Sequence, residues 1–124
     1  MRFFILAGAL MLLSSCGGEG ENKAADAPVK VMSKGETMFR QNCATCHNPL
    51  RALTGPALKG ALARWDNDTV RMKTFIRNPA KAIEAGDPRA LAAFEEYKPT
   101  VMTAFPNLSG DDLDLIISYF EGAQ

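Results

Sequence analysis

Two of the three cysteines and the only histidine of this 124-residue chain fall within five positions, Cys43-Ala44-Thr45-Cys46-His47. Two thiols and an imidazole at that density can pair with each other, hold a metal ion or bond a prosthetic group. C-x-x-C-H is the attachment signature of c-type haem, and its spacing has a mechanical reason. On a helix, positions i, i+3 and i+4 share one face. Cys43 and Cys46 can therefore each bond one vinyl-derived carbon of a porphyrin while His47 points its imidazole at the iron. Three rivals compete. A thioredoxin-like pair expects a strand before it and an αβ sheet around it, and no strand pattern is apparent. A structural zinc site needs four ligands, and no second pair exists once Cys16 is used elsewhere. A chance arrangement on an ordinary helix is the third. An export signal, helical content and the missing second ligand pair favour haem.

The elements that must hold this motif read as short helices, running from about Ser33 to the C-terminus over some 90 residues. Ser33-Lys34-Gly35-Glu36 has the form of a capping box and starts a helix whose inward face is Gly35, Met38 and Phe39. A second helix fits Asp68 to Arg77, with Val70, Met72, Phe75 and Ile76 apolar, and Asn78-Pro79 stops it and caps a short successor ending at Gly86. Asp87-Pro88 repeats the signal before a helix carrying Leu91, Phe94 and Tyr97. In "LSGDDLDLIISYF", Ser109 is an N-cap and Leu113, Ile116, Ile117 and Phe120 form an i, i+3, i+4, i+7 stripe. A core this thin usually needs a disulfide, a metal or a cofactor as a brace.

The N-terminal part is different in kind. Arg2 followed by an apolar run from Phe3 to Leu13 is too short to span a bilayer and suits a secretory signal over residues 1–15. Leu13-Ser14-Ser15-Cys16 resembles the bacterial lipoprotein cleavage box, so Cys16 is expected to carry lipid and anchor the chain to a membrane of the cell envelope, facing the periplasm. The alternative is an ordinary signal peptide followed by an unpaired cysteine. Residues 16–32 are glycine-rich and charged, a flexible tether with a reach of roughly 20 to 24 Å. The folded domain is then 33–124.

That domain, from Ser33 to Gly122, resembles a class I mono-haem cytochrome c. In that family a glycine and an aromatic stand eight and four residues before the first haem cysteine, and Gly35 and Phe39 hold those offsets from Cys43. Their partners on the last helix are matched by Ile116 and Tyr119. The resemblance implies an all-α fold of about four to five short helices wrapped around one covalently bound haem c. It implies that the Pro56 carbonyl accepts a hydrogen bond from the second ring nitrogen of His47, that Leu58 packs on the porphyrin face, and that Trp65 and Arg64 lie near the propionates. It also implies Met102 as the second iron ligand, in "KPTVMTAFPNLS" between Pro99 and Pro106, with Phe105 shielding the iron-sulfur bond. Taken without the family, Met102 is also a core gap-filler, Trp65 plain core and Gly55-Pro56 a simple turn.

With both axial positions filled by protein, substrate has nowhere to bind and electron transfer, not catalysis, is expected. The partners are redox proteins such as a respiratory donor, a terminal oxidase or a reductase, met by a monomer. The alternatives are a haem sensor or enzyme in which Met102 leaves the iron, and a fixed haem subunit of a respiratory complex. Residues 40–81 hold eight Lys or Arg against two acids, and residues 84–124 hold eight acids against two bases. This polarity suggests a basic haem-proximal face docking on an acidic patch, with rates that fall as salt rises, or merely solvated helix faces. The near-neutral total argues against nucleic-acid binding.

Overall fold

The computed structural model describes residues 31–124, so the expected signal segment 1–15, Cys16 and the tether up to Lys30 lie outside the described residues. Six helices follow: α1 (Lys34–Asn42), α2 (Ala61–Arg64), α3 (Thr69–Arg77), α4 (Pro79–Glu84), α5 (Pro88–Tyr97) and α6 (Gly110–Glu121), with no strand among the described residues. Five match the helices expected from caps and stripes, and α2 is additional. It has no side-chain cap of its own and starts from Gly60 in the left-handed region, φ 73°. Its cap comes from the far end of the chain: the Glu121 carboxylate accepts from Gly60 N–H at 2.9 Å and Leu62 N–H at 2.7 Å. No local pattern announces such a helix.

The other starts are local. Asp68 accepts from Arg71 N–H, Asn78 from Lys81 N–H, and Asp87 from both Arg89 and Ala90 N–H. The reciprocal capping box forms at Ser109 and Asp112. At α1 only half of it forms: Ser33 accepts from Glu36 N–H at 3.0 Å, but the Glu36 carboxylate pairs with Arg40 instead of returning to Ser33. An arginine one turn away outcompetes a neutral amide for a carboxylate.

Helices α1 and α6 cross at the centre of the core. A Cβ on Gly35 would overlap the Leu115 carbonyl oxygen, so glycine permits the approach there. Phe39 lies 5.2 Å from Tyr119 between ring centroids, above buried Leu113, Ile116, Ile117 and Phe120. Fully burying each such side chain contributes about 1.5–3 kcal/mol.

Two stripes are shifted from their expected registers. Val70 is 73% exposed, because it stands about 200° around α3 from Met72, which is buried. On α5 the inward stripe is Ala90, Ala93, Phe94 and Tyr97, an i, i+3, i+4, i+7 set that leaves Leu91 exposed one position off. The small Ala90 lets α5 approach the core closely.

Candidate functional site

The Cys43-to-His47 motif lies beyond the end of α1, in a turn rather than on the helix itself. The turn preserves the helical relation. Cys43 and Ala44 N–H donate to the Phe39 carbonyl at 2.8 and 3.0 Å, and Cys46 and His47 N–H donate to the Cys43 carbonyl at 3.1 and 2.9 Å. The two cysteines are not joined in a disulfide, Cys43 half-buried and Cys46 exposed. Burial pushes the Cys43 thiol up to about 11, so no local charge favours the thiolate that redox-active pairs require. Among the described residues no group of three or more His, Cys, Asp and Glu is placed to hold a metal ion.

The following loop is stitched against the motif. Gly55 N–H donates to the Cys46 carbonyl at 2.9 Å, Leu58 N–H to Asn48 at 3.2 Å and Lys59 N–H to Pro49 at 2.8 Å. The Asn48 side chain accepts from Leu50 and Arg51 N–H. This folding brings Pro56 to His47, whose Nδ1–H donates to the Pro56 carbonyl at 3.0 Å. That bond fixes the ring orientation and tautomer, leaving Nε2 as the basic nitrogen. Gly55 passes flush against the imidazole, and a Cβ there would collide with Cε1 and Nδ1.

Cys43, Cys46, His47, Pro56 and Leu58 line one side of a cleft enclosing about 1330 Å³ of empty space, part of it open to solvent. Arg64, Trp65, Met102 and Phe105 line it too, so all nine residues expected at the site meet there. Trp65 is nearly fully buried, its ring 5.0 Å from Phe75 and 5.5 Å beneath the Arg71 guanidinium. Arg64 donates to the carbonyls of Ala57 at 2.6 Å and Lys59 at 3.4 Å, tying α2 to the proximal loop. Met102 is half-buried in the irregular segment between α5 and α6, where Phe105 N–H donates to the Ile76 carbonyl at 3.2 Å.

Several lining residues escaped sequence reasoning. Buried Met72 places a second thioether in the wall, and Arg89 and Tyr97 bring polar groups from α5. The α5 stripe contained the signal for Tyr97, whereas nothing local distinguishes Arg89 from a solvated surface arginine. Two free thiols, an oriented imidazole, largely apolar walls and guanidinium groups suit a haem. Thioether bonds, an axial nitrogen, hydrophobic porphyrin faces and carboxylates each find a counterpart.

The family model "Cytochrome c" matches residues 32–124, three quarters of the chain. No curated protein and no solved structure matches it. Together with the all-helical fold and the C-x-x-C-H turn, the match shows that this chain belongs to the cytochrome c family, whose haem c transfers electrons and for which Cys43 and Cys46 are the candidate attachment residues.

Proposed function

We propose that this protein carries single electrons in the bacterial cell envelope through a haem c bonded to Cys43 and Cys46 and ligated by His47 and Met102. The observation that supports this most is one cleft lined by the two thiols, an imidazole oriented by Pro56, and the Met102 thioether. When bound, haem supplies an iron that cycles between ferrous and ferric states. The Pro56 contact orients the His47 ring so that Nε2 would face the iron, and a thioether ligand would raise the reduction potential. Phe105 and the apolar wall exclude water. With His47 and Met102 both holding the iron, no ligand position would be left on it for a substrate, which supports a carrier rather than an enzyme.

The lipid on Cys16 and the tether hold the domain to its membrane as a monomer within reach of redox proteins. Arg51, exposed and close to His47 in the loop after the haem turn, supplies basic charge for an acidic partner, while the charge of Arg40 is already met by Glu36.

The test is the visible spectrum of the mature protein. A six-coordinate low-spin iron is expected, with a weak red thioether band that Met102→Ala abolishes and Met72→Leu retains. Loss of the band in Met72→Leu alone would move the ligand to α3. A high-spin ferric spectrum at neutral pH would instead identify a ligand-binding haem protein, and a colourless chain would end the proposal.

A further inference from the structure

Trp65, the only tryptophan of the chain, lines the cleft, is nearly fully buried, and is followed by a strained turn. Asp66 and Asn67 are consecutive non-glycine residues in the left-handed region, with φ 57° and 59°. Such a pair persists only where its surroundings over-determine it. Backbone bonds close part of the turn: the N–H groups of Asp66, Asn67 and Asp68 donate to the carbonyls of Ala63, Leu62 and Trp65 at 3.1, 2.9 and 2.9 Å. None of them holds the indole.

The indole is held from outside the cleft by Arg71 of α3, which is not itself among the lining residues. Its guanidinium lies 5.5 Å from the centroid of the Trp65 ring, within range of a cation–π contact. The same guanidinium donates through Nε to Asp87 at 2.8 Å and through a terminal nitrogen to Asp66 at 3.2 Å. Asp66 occupies the strained turn, and Asp87 is the N-cap of α5, whose Ala90, Ala93 and Phe94 line the cleft. The closely packed helix pairs are α1 with α6, α3 with α4, α4 with α5 and α2 with α6, and none of these ties α5 to the Trp65 turn. Arg71 makes that tie. A planar fork that bonds two carboxylates while stacking on an aromatic ring is a task that lysine performs less well.

We propose that Arg71 is a positioning residue for the haem wall: gripping Asp66, Asp87 and the Trp65 ring together, it keeps the indole seated in the cleft. This rests on the haem reading above. A seated indole keeps water from the cofactor, and water favours the charged ferric state, so releasing the indole lowers the potential.

The experiment compares the mature wild-type holoprotein with Arg71→Gln and Arg71→Lys. Because Trp65 is the only tryptophan, its sharp lines in near-ultraviolet circular dichroism report its seating directly. In Arg71→Gln those lines should weaken roughly twofold, and the ferrous-to-ferric ratio at fixed poise should move about threefold toward ferric, about 28 mV for one electron. Arg71→Lys keeps the charge without the fork, so both readouts should stay closer to Arg71→Gln than to wild type. A potential that moves while the tryptophan lines do not, or that Arg71→Lys restores in full, makes Arg71 a remote charge and overturns the positioning role. Unchanged readouts in a coloured Arg71→Gln protein also overturn that role and leave the electron carrier standing, whereas a colourless wild type overturns both. Should Arg71→Gln not accumulate, Asp66→Asn decides, since asparagine tolerates the left-handed turn and removes only the charge that Arg71 grips. Weakened tryptophan lines in Asp66→Asn then support the grip, and wild-type lines overturn it.

Discussion

The wall carrying Cys43, Cys46 and His47 and the wall carrying Met102 face one cleft, yet they are held by different means. The first is knitted by short-range bonds from Phe39 through Lys59, and one side-chain amide, Asn48, closes its loop. The segment between α5 and α6 hangs from fewer points: Thr100 N–H to Tyr97, Phe105 N–H to Ile76, Leu108 N–H to Phe105, and Arg77 Nε–H to Leu108. Its residues Val101, Thr103 and Ala104 are exposed. Regions with few buried contacts and few backbone bonds open first. The imidazole side is therefore built as a fixed seat, and the Met102 side is the part of the cleft able to yield.

The largest effect should come from breaking the fixed seat at its tightest point. In Gly55→Ala the new methyl group must displace either the imidazole or the loop carrying Pro56, because it would collide with two ring atoms. Small-to-large changes in packed sites cost about 1–3 kcal/mol, and here the cost falls on the imidazole proposed to ligate the iron. Mature holoprotein should drop at least tenfold in yield, with the residual fraction showing altered axial ligation by visible absorbance and mass. Normal yield with an unaltered spectrum would mean that the seat is softer than its contacts indicate.

How far the cleft was legible in the sequence follows the same division. The haem motif and the N-caps at Asp68, Asn78, Asp87 and Ser109 act over three or four residues, so their signals are contiguous in the chain. The α6 stripe is legible for the same reason, since helical periodicity displays a buried face directly. Helix α2 was not, because the carboxylate that caps it is Glu121, about sixty positions away. Arg89 was not, because its distinguishing property is the lack of a partner in three dimensions. The α1 box was misread for a subtler reason: Ser33 and Glu36 have the right spacing, and only the competing charge of Arg40 redirects the acid. Local grammar carried the elements, while long-range electrostatics decided the details.

The yielding wall can be tested at Arg77, whose Nε–H donates to the Leu108 carbonyl at 3.1 Å. Arg77→Met keeps the aliphatic stem and removes the donor. A hydrogen bond from a charged group contributes about 1.5–3 kcal/mol, less here because Arg77 is only half-buried, so about 1–2 kcal/mol is expected. In a denaturant titration followed at two wavelengths, the thioether band proposed to arise from Met102 should disappear at clearly lower denaturant, while the helical signal shifts little. Parallel shifts of both signals would show that the two walls unfold as one unit and would erase the comparison.

The smallest effect concerns how the yielding wall is fixed at its other end. Asp87 caps α5 through Arg89 and Ala90 N–H and accepts from Arg71 Nε at 2.8 Å. Burial alone would raise its pKa, but the Ala90 amide and the Arg71 guanidinium together hold it below the ordinary carboxylate value. A carboxyl depressed in the folded state stabilises the fold above its unfolded pKa of roughly 3.9, and that contribution disappears as pH falls through the folded value. Asp87→Ala should therefore cost about 1 kcal/mol at neutral pH, the usual loss for a missing cap. The gap from wild type should narrow steadily on acidification below pH 4, measured by denaturant midpoints. A gap that persists unchanged there would show that Asp87 works as a neutral acceptor, and that the charge of Arg71 does not help set the start of the helix bearing Arg89 and Tyr97.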